Sequence, residues 1–327
     1  MKTEEKLVPK YFLTDDQFIE SWRKIGSPQK FAEIHGMDVR SVYNRRRSIE
    51  NRLKISLPTI DDHRVSPIKK IDQVIGNARR GIEMEKGRVV VFSDAHFWPD
   101  EVTTAYKALL LIIKEFRPKV VIANGDIFDG SQASRHARIG WENTPSVKDE
   151  LEACKEMMEG IEKVSKGAEL IWTLGNHDAR FETFLSAQTG MYEGVSGFTL
   201  KDHFPLWKPC WSYWINEDTC IKHRWKGGFG AGRANTLNAG VNMVTGHTHN
   251  LAVQPLTDYN GTRYGVQTGC LADPNGHQFL AYTEDGPKDW RSGFALLSFE
   301  EGRLMLPELI QVCREDSFEF RGCLNNV

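Results

Sequence analysis

The stretch Arg88-Val-Val-Val-Phe92-Ser-Asp94-Ala-His96 runs from an apolar segment straight into a carboxylate and an imidazole. A short run rich in β-branched residues reads as a buried strand. Three further runs end in the same way: Lys119-Val-Val-Ile-Ala123 leads to Gly125-Asp126-Ile-Phe-Asp129, Leu170-Ile-Trp-Thr-Leu174 to Gly175-Asn176-His177-Asp178, and Val241-Asn-Met-Val-Thr245 to Gly246-His247-Thr-His249. Four strands are thus expected to deliver polar residues from their carboxyl ends to one edge, where open α/β sheets bind ligands. On extended backbone, side chains at i and i+2 point the same way. Asp94 with His96, and His247 with His249, are therefore each expected to aim at one spot. A lone His223 ends the apolar-leaning segment Cys220-Ile-Lys-His223. Carboxylate, imidazole and amide oxygen without thiolate are the ligand set that suits Mn, Fe, Zn or Ni.

The order D-x-H, G-D-x-x-D, G-N-H-D, H, G-H-x-H resembles the calcineurin-like metallophosphoesterase superfamily, over roughly residues 85 to 325. The resemblance implies an α/β fold, a two-sheet β-sandwich flanked by helices, with two divalent metal ions as cofactors: Mn foremost, Fe, Zn or Ni as alternatives. It also implies that Asp94, His96, Asp126 and His249 hold one metal, and that Asp126, Asn176, His223 and His247 hold the other. Asp126 would bridge the pair. His177 would protonate the leaving oxygen or steady the transition state, with Asp178 orienting it.

The residue types have a chemical logic of their own. Two cations about 3.5 to 4 Å apart lower the pKa of a bridging water, supply hydroxide as the nucleophile and neutralise phosphoryl oxygens. The leaving alkoxide needs a proton, and an imidazole near neutrality supplies one. Arg180 has two readings, a guanidinium fork on a phosphate oxygen or a first-turn helix arginine in solvent. Asp129 is expected to accept a hydrogen bond from a ligand histidine rather than to bind metal. His203, before Phe204-Pro205, competes with His223 for one ligand slot but has no strand leading to it; His223 is preferred. His35, His63, His136 and His277 match no ligand slot, although His136, with Arg135 and Arg138, makes a basic loop of the kind that lines a cleft.

The serine/threonine phosphatases of this superfamily carry G-D-x-x-D-R-G, and here the second aspartate is followed by Gly130-Ser131. The missing arginine shifts the expectation from phosphoprotein phosphatase toward the phosphodiesterase and nuclease branches.

With 327 residues and 40% hydrophobic content, the chain can bury a core of about 240 residues and carry a small extra domain. Six scattered cysteines form no C-x-x-C pair, and no apolar run approaches the length of a membrane span. A cytoplasmic protein without a membrane partner is expected, and homo-oligomers are common among such enzymes. The net charge of −2 is unevenly spread: residues 1–80 carry 17 Lys and Arg against 11 Asp and Glu, a net of +6, which leaves −8 for the rest.

That basic segment has its own pattern. Phe18-Ile-Glu-Ser-Trp22 reads as an amphipathic helix ending near Gly26, Ser27-Pro28 caps a second through His35, and a third begins near Asp38. Ala32, Gly36 and Val42 stand at the offsets of a small packing residue, a turn glycine and an apolar contact. The pattern resembles a helix-turn-helix DNA-binding module. On the third helix Arg40, Ser41, Tyr43, Asn44, Arg45, Arg46 and Arg47 are the expected DNA-contacting residues. Residues 1–60 are then a DNA-binding domain, 61–85 a linker with a short helix around Ile71 to Arg79, and 86–327 the metallophosphoesterase domain. Between Phe204 and Trp225 the aromatic residues Phe204, Trp207, Trp211, Tyr213, Trp214 and Trp225 are read mainly as core, with base stacking as the alternative. Tyr264–Cys270, Trp290–Leu297 and Leu304–Ile310 are expected as strands of a second sheet. The expected activity is a metal-dependent phosphodiesterase or nuclease acting on DNA. The alternative is a phosphomonoesterase or small-molecule phosphodiesterase whose N-terminal domain binds protein.

Overall fold

A computed structural model describes residues 13–57, 78–134, 144–228, 230–279, 283, 286 and 288–327. Arg135, His136, Arg138, His63 and residues 71–77 of the expected linker helix lie outside the described residues. The chain forms two compact units, Met1–Ile71 and Asp72–Val327.

The first unit contains helices α1 (Asp15–Ile25), α2 (Pro28–His35) and α3 (Val39–Leu53). Their ends follow from local chemistry. Thr14 and Gln17 form a capping box, Ser27 caps α2 ahead of Pro28, and Asp38 caps α3 by accepting from Ser41 N at 3.0 Å. Phe18, Trp22, Phe31, Ala32, Val42, Ile49 and Leu57 form the buried core. The left-handed Gly36, at φ 59°, turns α2 into α3.

The arginines of α3 do not all face outward as expected. At 3.6 residues per turn a run of three arginines cannot occupy one face. Arg45 turns inward, donating to Leu13 O with its guanidinium 5.4 Å from the Phe18 ring; Arg46 lies 5.2 Å from the Trp22 ring and 3.5 Å from Glu50. Both brace α3 against α1. Arg40, Ser41, Tyr43, Asn44 and Arg47 remain exposed.

In chain order the second unit contains β1 (Arg79–Ile82), β2 (Gly87–Phe92), α4 (Thr104–Phe116), β3 (Val120–Ala123), α5 (Val147–Val164), β4 (Glu169–Thr173), α6 (Asp178–Thr189), α7 (Leu200–His203), β5 (Lys208–Cys210), β6 (Ser212–Ile215), β7 (Thr219–Ile221), α8 (Ala231–Ala239), β8 (Asn242–Thr245), β9 (Leu251–Asp258), β10 (Gly261–Thr268), β11 (Gly293–Glu300), β12 (Arg303–Leu304), β13 (Glu308–Arg314), β14 (Ser317–Phe320) and β15 (Cys323–Asn326). Arg79, expected at the end of a linker helix, opens strand β1 instead.

The strands form two sheets. A nine-stranded sheet runs β15-β14-β13-β11-β2-β3-β4-β5 with β12 on β11, and a six-stranded sheet runs β1-β6-β7-β8-β10-β9. Strands β2 to β5 are parallel neighbours, whereas β11 pairs antiparallel with β2. Two expectations are corrected by this order. The strands that carry the motifs do not share one sheet, because β8 belongs to the six-stranded one. Of the strands expected in a second sheet only β10 joins it, while β11 and β13 extend the first.

The alternation of β2 decides the packing. Val89 and Val91 meet Tyr213, Ile215, Ile221, Val244 and Val266 between the sheets, while Val90 and Phe92 pack with Leu109, Ile112, Met158 and Ile161 from α4 and α5. Both faces are covered, so the strand reads as a continuous apolar run; each fully buried aliphatic side chain contributes ~1.5–3 kcal/mol. Of the aromatic cluster, Phe204, Trp207 and Tyr213 are core, while Trp211 and Trp225 are exposed at 52% and 47%. The result is a helix-flanked α/β sandwich.

Candidate metal centre

Asp94, His96, Asp126, His247 and His249 all lie just beyond strand ends, on backbone that has left the extended conformation. Their φ angles are 51°, 40°, 52°, 69° and 56°, in the left-handed region that costs a non-glycine residue about 1–2 kcal/mol. The i, i+2 geometry of extended backbone is therefore not what brings these side chains together. His247 and His249 diverge: one group joins Asp94, His96 and His249, another joins Asp126, His223 and His247.

Hydrogen bonds between loops fix these conformations. Asp94 N donates to Gly125 O at 2.9 Å, His96 N to Asp126 O at 3.0 Å, and Gly246 N to His223 O at 2.9 Å. Side chains add cross-links: Asp94 accepts from His247 N at 2.9 Å, and Asp126 Oδ1 from His177 N at 2.8 Å. The motif glycines are required by close approach. A Cβ on Gly246 would sit 2.6 Å from Asp94 Oδ2, and one on Gly125, which has φ 81°, would run into the His223 ring.

Two of the histidines are oriented from behind. His96 Nδ1 lies 2.7 Å from Asp129 Oδ1, and His223 Nδ1 lies 2.8 Å from Asn124 O. Each bond places the proton on Nδ1 and turns Nε2 inward, the arrangement by which a neighbouring carboxylate or carbonyl prepares an imidazole to bind a cation. The cluster of His96, Asp129 and His177 is accordingly a hydrogen-bonded brace. Asp129 accepts from His96.

The donor atoms fit divalent cations. His96 Nε2, His223 Nε2 and Asn176 Oδ1 are buried and have no hydrogen-bond partner among the described residues. His223 Nε2 stands 3.0 Å from Asp126 Oδ2, an ion pair while the imidazole is protonated and a site a cation could take in place of that proton. Buried polar atoms left bare cost about 1–3 kcal/mol each, and a cation among carboxylates removes that penalty. His203 joins none of these clusters; its Nε2 bonds Gly197 O at 2.8 Å.

The electrostatics point the same way. Burial opposes ionisation of Asp126, but the charges of His223, His177 and His96 hold its carboxyl well below the usual range. Burial, opposed by the bond to Asp129, lowers His96. Burial also pulls His223 down, yet Asp126 and Asp94 outweigh it and raise this imidazole to about 9. For His177 burial is again the largest influence and lowers it; the Asp129 bond and the Asp126 charge prevail, so its net shift is upward.

His177 Nδ1 lies 2.8 Å from Asp129 O, and Nε2 lies 3.1 Å from an Arg180 guanidinium nitrogen. Arg180 also donates to Asp129 O at 3.2 Å, so it faces the site rather than solvent. Asp178 does not orient His177. Its carboxylate accepts from Gly175 N, Asp126 N, Ile127 N, Phe128 N and Trp172 Nε1 at 2.8–3.1 Å, tying the β3 and β4 loops together. Asn124 O, Phe279 and Trp290 also enter the centre. A backbone carbonyl leaves no sequence signal, and the two aromatic residues come from a segment without a motif.

Residues 87–251 match the family described as calcineurin-like phosphoesterase. Among solved structures, YfcE, a phosphoesterase from E. coli, is similar at 11% identity and a TM-score of 0.31, over 67% of this chain and 97% of that one. No curated protein matches the chain. Among the described residues no helix is long and apolar enough to cross a membrane.

Proposed function

The chain belongs to the calcineurin-like phosphoesterase family, and from that premise we propose that it is a two-metal phosphodiesterase acting on DNA, held to its substrate by residues 1 to about 60. The observation that carries the catalytic half is the pair of clusters whose buried donor atoms lack partners among the described residues. Asp94, His96 and His249 would hold one cation, and Asn176, His223 and His247 the other. Asp126 joins the His223 and His247 cluster, and the family resemblance makes it the bridging candidate. When bound, two divalent cations lower the pKa of a water and neutralise phosphoryl oxygens.

The remaining work falls to side chains. His177, raised by its acidic neighbours, keeps Nδ1 on Asp129 O and accepts from Arg180 at Nε2, so it would protonate the leaving oxygen from Nε2 only after the Arg180 N–H leaves that nitrogen. Arg180, within reach of the same nitrogen, offers its other N–H groups to a phosphate oxygen. Where the phosphatase branch carries arginine this chain has left-handed Gly130, at φ 65°, and a Cβ there would lie 3.5 Å from Arg180 Cβ. The cation beside His177 thus comes from α6. An open depression of about 310 Å³ beside His247, lined also by Thr248, Asn250 and Asp289, would be the place for a second ester substituent. For the DNA half, support comes from the exposed Arg40, Ser41, Tyr43, Asn44 and Arg47 on α3.

The test uses the full chain with Mn and compares bis-aryl phosphate, aryl monophosphate, and labelled single- and double-stranded DNA. The reading predicts diester and DNA cleavage, with DNA cleavage alone falling in the Arg40→Ala/Arg47→Ala double variant. Hydrolysis of the monoester only would make the protein a phosphatase.

A further inference from the structure

We propose that Phe279 and Trp290 form an aromatic brace for His249, and that Trp290 sets the affinity for the cation held by Asp94, His96 and His249; this rests on the two-metal reading above. The three buried histidines of the centre are not held alike. His96 and His223 each use Nδ1 for a hydrogen bond, to Asp129 and to Asn124 O, and turn Nε2 inward. His249 has Nε2 3.2 Å from Asp94 Oδ1, and its buried Nδ1 has no hydrogen-bond partner among the described residues. Among the described residues none supplies the outer acceptor that ordinarily fixes the ring of a ligand histidine.

Ring contacts take its place. The Trp290 ring centroid lies 4.3 Å from that of His249 at an interplanar angle of 63°, and Phe279 lies 5.3 Å from His249 and 5.2 Å from Trp290. Phe279 also packs edgewise on His96 at 5.1 Å, so one aromatic pair touches both histidines of this cluster. Separations and angles of this kind suit attractive edge-to-face pairing. The brace is itself anchored. Arg291 N donates to His249 O at 2.9 Å, which fixes the main chain next to Trp290 against the residue it supports. On the ring, Lys288 Nζ lies 5.7 Å from the Trp290 centroid and donates to Pro274 O at 2.6 Å.

Packing restricts ring rotation without raising donor basicity, so this cluster depends on a contact that mutation can remove separately. In the other cluster the ring of His223 packs on that of His247 at 5.3 Å, away from both aromatic residues of the brace. Trp290 is thus a positioning residue for one cation only.

The experiment is calorimetric titration of Mn²⁺ into metal-stripped full-length protein, with the visible spectrum of Co²⁺-loaded protein as a report on coordination. Wild type should bind two ions. Trp290→Ala should weaken one binding event by roughly 10- to 100-fold, the range seen when the outer support of a ligand is removed, and leave the other unchanged. Trp290→Phe, which keeps a ring, should restore most of the affinity and the Co²⁺ spectrum. If Trp290→Ala fails to fold, Phe279→Leu should show the same selective weakening. Unchanged binding of both ions, equal weakening of both, or no rescue by phenylalanine would each overturn the brace. A wild-type protein that binds no Mn²⁺ or Co²⁺ would overturn the two-metal reading itself.

Discussion

The two units of this chain handle charge in opposite ways. In the second, Asp94, Asp126, Asp129 and Asp178 are at most 8% exposed, and each lies against a donor or a cationic neighbour from another loop. In the first, the arginines of α3 are divided by helical rotation, with Arg45 and Arg46 packed on aromatic rings and Arg40 and Arg47 exposed. A buried carboxylate must be partnered, so its geometry restricts the chemistry it can serve. An exposed arginine is free of that demand, and its role is decided by what it meets.

The contrast predicts large effects in the buried region. His177→Ala should keep both cations yet lose roughly 10²- to 10⁴-fold in rate on diesters with poor leaving groups, and much less on activated aryl esters. Rates across a series of aryl leaving groups check this; equal losses along the series would remove His177 from the proton-donor role. Asp178→Ala should cost about 3–5 kcal/mol of stability in urea unfolding, because buried main-chain donors lose their acceptor. A rate defect with unchanged unfolding would restore Asp178 to an orienting role and blur the distinction between the two units.

A pH effect of intermediate size follows from His223. Its imidazole, raised to about 9, carries a proton at neutral pH in the cation-free protein. A cation must displace that proton, so affinity weakens as pH falls below about 9, by up to tenfold per unit for one proton released. Mn²⁺ titrations between about pH 6 and 8 should show it, whereas a flat profile would mean that the His223 proton is not displaced.

The smallest effects belong to the first unit. Arg40→Ala with Arg47→Ala should reduce the salt dependence of DNA binding by about one unit of slope for each phosphate no longer neutralised, while bis-aryl phosphate hydrolysis holds. Arg45→Ala should instead lower stability by ~1 kcal/mol, because its packing on Phe18 is removed, and leave the salt slope unchanged. The reverse outcome would return Arg45 to the nucleic-acid face.

Much of the fold is legible because buried parallel strands write themselves as apolar runs: Arg88–Phe92, Lys119–Ala123 and Val241–Thr245 differ from β2, β3 and β8 by a single residue at the start. Sheet membership is not legible. An apolar run does not say which neighbour it pairs with, so β8 and β11 are each expected in the wrong sheet. The motif residues can be named from their order, but alternation along a strand does not explain their convergence, because Asp94 and His249 sit on left-handed loop backbone stabilised by hydrogen bonds from other loops. Asp178 escapes a sequence reading because its partners are mostly main-chain N–H groups, which no residue type reveals. Helical rotation says that Arg45, Arg46 and Arg47 cannot share one face, but not that Arg45 and Arg46 are the two that turn toward Phe18 and Trp22.

Two cations held with Asp126 between them should show first in the metal content of the protein. Mn²⁺-loaded, dialysed wild-type protein should retain two ions per chain and hydrolyse bis-aryl phosphate, while Asp126→Ala should lose binuclear binding and that activity together. Asp126→Ala protein that still retains two ions would contradict the bridging assignment, and wild-type protein with full diesterase activity after complete metal removal would contradict the account as a whole.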